Sequence, residues 1–281
     1  MKNAVLRKYD LLGKEQDVDA VSPHLYEASP HFVFDKKKPD FHIVVGGDGA
    51  ILFSKIKESI LDGKPVLHVH YKDGSSKLNR KKSLGFTADL APEGLHKAMG
   101  DIAKGDYFTK TERLLDCYVN SKLKGSAVND ISIGPGKPFG TLLFSAILKI
   151  NRTGQREVLP SPKCDVLLIS TKQGSTAWNM SAGGSINIDV NDCTHLSFVN
   201  SPIHQSHYLY ESKDVLHVKV YGDALIGLDG HNVLFRAKAE DEIEVRESQK
   251  SIAFLHTTNT FESLMEKIRR QNEFGISSII K

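Results

Sequence analysis

The fold class that the sequence predicts is an α/β N-terminal domain with a mostly parallel sheet, followed by an all-β C-terminal domain. Three observations predict it. An apolar run at residues 41–45 ends in Gly46-Gly47-Asp48-Gly49 and is followed by helical and then strand spacing. Beyond residue 110 the chain becomes a series of short strand-like runs separated by turn residues. Helical spacing returns near the C-terminus, so the chain is expected to cross back to its first domain. The expected boundaries are 1–108 for the α/β domain, completed by a terminal helix at 256–281, and 109–255 for the β-rich domain.

Phe41-His42-Ile43-Val44-Val45 reads as a buried strand. Phe53, Ile56 and Ile60 then recur at three and four residues, one face of a helix that Gly63 stops. Pro65 to Tyr71 returns as a strand in which Val66, His68 and His70 alternate with Leu67 and Val69. After Pro92, the positions Leu95, Met99 and Ile102 again have helical spacing. Strand, glycine turn, helix, strand is a βαβ signal.

The second part carries strand-like runs at 114–123, 127–133, 142–150, 165–170, 186–190, 214–221, 224–228, 233–237 and 241–245. Thr153-Gly154, Gly222-Asp223 and Asp229-Gly230-His231-Asn232 separate some of them. Strands so spaced, with little helical pattern, predict an antiparallel or barrel-like domain. Near the end, Asn259 and Glu262 have the spacing of a capping box, and Phe261, Leu264, Met265 and Ile268 line one helix face. There is no internal repeat and no low-complexity linker.

Composition narrows the function. A chain of 281 residues, 40% apolar and 25% charged, fits one large or two medium soluble domains. The net charge of +3 demands no nucleic acid, yet it does not repel a polyanionic nucleotide. The apolar stretches are too short to span a bilayer, and MKNAVLRKYD lacks the apolar core of a signal peptide. Cys117, Cys164 and Cys193 form no Cys-x-x-Cys pair and read as reduced thiols of a cytoplasmic protein. The P-loop pattern is missing, and so is a Gly-x-Gly-x-x-Gly followed by an acidic residue about 20 positions on.

Three segments carry chemistry. A glycine-rich turn that follows a strand and opens a helix exposes backbone N–H groups at the positive end of the helix dipole, which suits phosphates. Asp48 is electrostatically odd in such a loop unless it holds Mg²⁺ or takes a proton; a plain turn is the alternative. Asn129-Asp130 interrupts an apolar alternation. An amide beside a carboxylate can hydrogen-bond both ribose hydroxyls, or it can mark a strand end meeting solvent. Gly174-Ser175-Thr176-Ala177-Trp178, running into Ser181-Ala182-Gly183-Gly184, surrounds the only tryptophan with small and hydroxyl residues. Trp178 is either a core anchor or a platform for adenine.

In this order the segments resemble the NAD kinase family. That family carries a Gly-Gly-Asp-Gly motif, an Asn-Glu pair, and a Thr-Gly-Ser-Thr-Ala-Tyr segment running into Ser-Ala-Gly-Gly-Pro. The matching positions here are 46–49, Asn129-Asp130, and Gly174 to Trp178 running into Ser181 to Ser185. Leu84-Gly85-Phe86, Glu112-Arg113 and Leu228-Asp229-Gly230 resemble further family segments, and the likeness covers residues 41–270. The chain also departs from the pattern. Asp130 stands for Glu, Trp178 for Tyr, Lys172-Gln173 for Pro-Thr or Pro-Ser, and Ala50 for Thr. Arg80-Lys81-Lys82-Ser83 occupies the region of the family's Asn-x-Gly.

The resemblance implies transfer of the γ-phosphoryl of ATP to the 2′-hydroxyl of the adenosine ribose of NAD, with Mg²⁺ or another divalent ion. It implies Asp48 as proton acceptor and Gly46, Gly47 and Gly49 around the donor phosphates. It implies NAD contacts from Asn129, Asp130, Asp165, Ser175, Thr176, Ala177 and Trp178, and a cytoplasmic dimer or tetramer that binds neither nucleic acid nor membrane. Two other classes compete. A lipid kinase of the diacylglycerol kinase type shares the glycine loop but lacks the Gly-Ser-Thr-Ala-aromatic segment. A catalytically silent NAD(P)-binding protein has no need of Asp48.

Overall fold

A computed structural model describes residues 6–28, 31–71, 90–137, 140–188, 192–202, 206–230, 233–258 and 263–269. The chain divides into two compact units, residues 1–111 with 252–281 and residues 112–251.

The first unit holds β1 (Lys8–Leu12), α1 (Glu15–Ala28), β2 (Val33–Phe34), β3 (Phe41–Gly46), α2 (Ser54–Ile60), β4 (Pro65–His70) and α3 (Leu95–Lys104). Its strands lie in the order β2-β1-β3-β4, all parallel, with Val44 opposite His68 and Gly46 opposite His70. The last residues of the strand Glu242–Thr257 lie parallel beside β4, with Phe254 opposite Val66. Every residue of β3 is buried, as expected of a parallel strand covered on both faces. One face sends Ile43, Val45, Leu67 and Val69 against Val21 and Leu25 of α1 and Leu95, Ala98, Met99 and Ile102 of α3. The alternate positions carry Val44 and Val66 together with His42 and His68, all buried. His42 lies between two carboxylates, Asp62 at 3.1 Å and Asp10 at 3.6 Å.

The second unit follows from β5 (Tyr107–Val119), whose first residues belong to the first unit. It continues through β6 (Lys122–Ala127), β7 (Asp130–Pro135), β8 (Phe144–Lys149), β9 (Arg156–Leu159) and β10 (Val166–Ser170). The short helix α4 (Trp178–Ser181) precedes β11 (Cys193–Val199), β12 (Tyr208–Glu211), β13 (Val215–Val220), β14 (Ala224–Leu228), β15 (Val233–Ala237) and β16 (Glu242–Thr257). One sheet runs β12-β11-β10-β7-β14-β15 in antiparallel pairs. The other has β16-β13-β8-β9, also antiparallel, with β5 beside β16 and β6. Alternate residues of both fill one core, among them Ile131, Ile133, Leu167, Ile169 and Ile226 from the first and Ala146, Leu216, Val218, Ile243 and Val245 from the second.

Several local expectations change. The glycine turn does not open an α-helix directly. Asp48–Leu52 forms a 3-10 turn, Phe53 is extended (φ −62°, ψ 128°) and exposed, and α2 begins at Ser54. The run at 114–123 is a hairpin, because Asn120 and Ser121 both take positive φ (47° and 64°) and reverse the chain. The run at 127–133 is broken at Val128 and Asn129. Residues 186–188 are not strand, and 189–190 lie outside the described residues. His256 and Thr257, expected to open the terminal helix, instead end β16; helix is seen at 264–269. There the capping box is Ser263 with Glu266. The Ser263 N–H donates to the Glu266 carboxylate at 2.7 Å and Ser263 Oγ accepts from the Glu266 N–H at 3.3 Å. Asn259, Phe261, Glu262, the Leu84-Gly85-Phe86 segment, Arg80 to Ser83, His231 and Asn232 lie outside the described residues.

The Asn120-Ser121 turn makes a prediction. A side chain at positive φ is strained, and the hairpin geometry favours Asn followed by Gly. Ser121→Gly is expected to raise stability by about 0.5–1 kcal/mol in urea unfolding. A loss of stability would show that the strain is relieved by the serine hydroxyl.

Candidate functional site

In the first unit the predicted glycine turn lies at the carboxyl end of β3, the end where open parallel sheets bind ligands. Gly46 takes φ +143°, and a Cβ there would lie 2.8 Å from the Ala50 Cβ. The Gly47 carbonyl accepts from the Ala50 N–H at 2.8 Å, which closes the turn over Asp48. Gly49 is exposed, and a Cβ there would meet nothing within 4 Å. No packing demand explains that glycine. His68, buried in β4, is neutral at pH 7: burial pushes its imidazole down to about 4, against the opposing pull of the Asp48 charge.

In the second unit the break between β6 and β7 presents Asn129 and Asp130. The Val128 N–H donates to both carboxylate oxygens of Asp229, at 2.8 and 3.1 Å, and the Asn129 N–H donates to Oδ1 at 2.7 Å. On the other side, the Thr171 hydroxyl donates to the Val128 carbonyl at 2.6 Å, and the Thr171 N–H donates to the Asn129 carbonyl at 2.9 Å. The Asp229 N–H donates to the Asp130 carbonyl at 2.8 Å. Asp130 is only 3% exposed. Burial, and then the charge of Asp229, push its carboxyl up to about 7, against a weak pull from the Gly230 N–H at 3.4 Å.

Residues 171–187 form a compact turn beside this break. Gly174 lies against Asn129, where a Cβ would overlap the Asn129 carbonyl oxygen and stand 2.6 Å from its carbon. The buried Asn179 amide ties the later part of the turn together. Its nitrogen donates to the carbonyls of Ser175 (3.2 Å) and Ser185 (2.9 Å), and its oxygen accepts from Ser197 Oγ at 2.7 Å. Gly184 is pressed against that amide so closely that a Cβ would overlap its oxygen. Ser175 Oγ is buried and accepts from the Asn187 N–H at 3.1 Å. The Thr176 hydroxyl donates to the Gln173 carbonyl at 3.3 Å. Ala177 and Trp178 are half-buried at the start of α4.

The fold therefore brings Asn129 and Asp130 together with Gly174 and the turn that carries Ser175, Thr176, Ala177 and Trp178. It does not bring Asp165 to them. Asp165 is exposed before β10, where it accepts from the Asn200 amide at 2.9 Å. Five residues of strand, roughly 17 Å, separate it from the Ser170 end. Gly46, Gly47, Asp48 and Gly49 belong to the first unit. Sequence reasoning misses the clamping parts of Thr171 and Asp229 and the internal role of Asn179. Asp229 reads in the sequence as part of a turn that resembles a family segment, with no partner indicated, and its partners are about a hundred residues away along the chain.

No protein-family model matches the chain. Individual proteins do. The chain is 28% identical over 256 residues to an NAD kinase of Shewanella woodyi, covering 82% of this chain and 76% of that protein. It is 27% identical over 291 residues to an NAD kinase of Shewanella loihica, covering 94% and 87%. Among solved structures, it resembles an NAD kinase from Archaeoglobus fulgidus in complex with ATP (TM-score 0.72, 18% identity, 93% of this chain and 98% of that one). It also resembles yeast NADH kinase complexed with NADH (TM-score 0.75, 15% identity, 96% and 88%). At these identities the structural likeness shows the fold.

The raised carboxyl of Asp130 makes stability depend on pH. A group whose folded value lies above its unfolded value stabilises the fold below the unfolded value and loses that contribution as pH rises. For Asp130 the loss runs from 3.8 to about 7. Asp130→Asn is expected to stabilise the fold by a few kcal/mol above neutrality, and by little near pH 4. Melting temperatures of both proteins across that range test it; a difference that does not change with pH would refute the buried charge.

Proposed function

We infer that the chain is a divergent member of the NAD kinase family and that it transfers the γ-phosphoryl of ATP to the 2′-hydroxyl of the adenosine ribose of NAD, making NADP. The observation that carries this reading is likeness to NAD kinases over most of the chain, rather than over one motif. It favours a kinase acting on NAD over a lipid kinase or a silent binding protein.

Phosphoryl transfer of this kind needs the nucleophile positioned, the phosphates held and the hydroxyl proton accepted. We assign the last role to Asp48, at the carboxyl end of β3. Gly49, open on its outer side, leaves room for phosphate oxygens to approach the backbone, and we assign Gly46 and Gly47 to the same phosphate-binding loop. Asn129 and Asp130 are assigned to the ribose hydroxyls, and Ser175 to Trp178 to the adenine end. Ser175 acts there through the backbone it braces, since its hydroxyl is engaged internally. Asp165 stands apart from this group and is not needed by it within one chain.

Among the described residues no three His, Cys, Asp or Glu side chains gather to ligate a metal. We assign Mg²⁺ to the nucleotide phosphates, because it keeps several waters and binds through one or two carboxylates together with substrate phosphates. When bound, such an ion neutralises phosphate charge. No helix among the described residues is long and apolar enough to cross a membrane. Cys117, Cys164 and Cys193 are free thiols, and burial pushes Cys117 and Cys164 up to about 12. We take the free thiols to favour a cytoplasmic enzyme.

Two experiments test the assignment. Asp48→Asn is expected to bind NAD as the wild type does but to form NADP at least about 100-fold more slowly, the scale of lost general-base help. Near-normal turnover would sink the role of Asp48. Binding of NAD is expected to quench or shift the emission of Trp178, saturably. Trp178→Ala is expected to weaken binding by about 1–3 kcal/mol, by analogy with base–aromatic stacking. An unchanged spectrum at saturating NAD would return Trp178 to the core.

A further inference from the structure

We propose that Asp229 is a positioning residue for the NAD site, whose carboxylate fixes the bend at Val128-Asn129 from which Asn129 and Asp130 reach the adenosine ribose. The proposal rests on the kinase reading above and adds to it a residue that never touches substrate.

Five observations carry it. Asp229 is 3% exposed, and its carboxylate takes two adjacent backbone N–H groups at 2.7–3.1 Å. Those groups belong to residues where the β6–β7 path breaks, so no ladder partner replaces the carboxylate if it is lost. Asp229 itself takes φ +53°, a conformation that aims its side chain back across the turn while its own N–H holds the Asp130 carbonyl. Thr171 grips the same two residues from the opposite side, accepting the Gly174 N–H at 2.9 Å on the hydroxyl that holds Val128. Last, the arrangement is costly: two buried carboxylates, Asp229 and Asp130, lie within each other's field.

A purely structural turn gains nothing from that repulsion. An asparagine at 229 offers one acceptor oxygen instead of two and removes a charge beside Asp130. What the carboxylate supplies is a bend with both N–H groups satisfied by charge-assisted hydrogen bonds, which are shorter and stiffer than neutral ones. A stiff bend matters where an amide and a carboxylate must meet two hydroxyls of one ribose at once, because a small misplacement is costly there.

The test uses the full-length enzyme and reads NAD binding by calorimetry alongside NADP formation. Asp229→Ala is expected to weaken NAD binding about tenfold or more, and Asp229→Asn about threefold or more, while the KM for ATP stays within about twofold. In a double-mutant cycle, Asn129→Ala is expected to cost much less on the Asp229→Ala background than on the wild type, because both changes spoil one contact set. A uniform loss across NAD and ATP, additive effects, or Asp229→Asn with wild-type affinity would overturn the proposal. The asparagine variant keeps the shape and relieves repulsion, so its result decides the matter if the alanine variant does not fold. Wild-type protein that binds NAD yet forms no NADP would refute the kinase reading while leaving the positioning role measurable. Wild-type protein that does not bind NAD would refute both.

Discussion

The candidate NAD site of the second unit depends on how closely residues 171–176 approach Asn129. That approach is possible only because Gly174 has no side chain. With the turn seated there, the Thr171 hydroxyl reaches the Val128 carbonyl and the Gly174 N–H together. From the other side Asp229 holds the N–H groups of the same two residues. A chain break inside a sheet would ordinarily leave its peptide groups unsatisfied, which is expensive in a buried place. Here the four groups of Val128 and Asn129 are accounted for by one carboxylate, one hydroxyl and one backbone N–H. Asn179 does the same for the far side of the turn, bonding to the main chain of Ser175 and Ser185 and to the Ser197 hydroxyl.

Both units keep ionisable groups in places that penalise charge. His68 is held neutral beneath the glycine loop, and Asp130 is held near neutrality beside Asp229. Neither side chain helps the fold as an apolar residue of similar size would. Such costs concentrate where a protein uses the group, so perturbed groups are candidates for function rather than for stability. Both also stand next to the site segments. His68 pairs in register next to the strand that ends at Gly46, and Asp130 begins the strand that pairs with β10, whose end leads into the Gly174 turn.

What is legible in the sequence is local. The apolar run at 41–45, the spacing of Leu95, Met99 and Ile102, and the glycine turn depend on neighbours a few residues away, and the fold class follows from them. The elements that escape reading have weak local patterns. β1 is only five residues with an aspartate in the middle, α1 is polar and contains Pro23, and β9 and β12 are four-residue strands at sheet edges. Ser263 is hidden as a cap because Asn259 and Glu262 offer the same spacing four residues earlier. The candidate site is legible as a set of residue types, not as a geometry. That Asp165 ends up at the opposite end of β10 from the Gly174 turn is a property of strand length. That Asp229 serves Val128 and Asn129 is a property of sheet order, since β14 pairs with β7 across a long stretch of chain.

The departures from the family's pattern can be weighed against this geometry. An aspartate at 130 keeps its carboxylate about one bond length, roughly 1.5 Å, nearer the backbone than a glutamate would. It therefore stays against Asp229 and the Gly230 N–H. A glutamate would place the charge about one bond further from the backbone. The shorter residue thus couples two properties: a carboxyl that gains and loses its proton near neutrality, and a bend whose position is fixed to within a hydrogen bond by the neighbouring carboxylate. A carboxylate on a short side chain is placed chiefly by its backbone, and Asp229, Thr171 and Gly174 hold the neighbouring backbone at Val128 and Asn129 from separate segments of the chain.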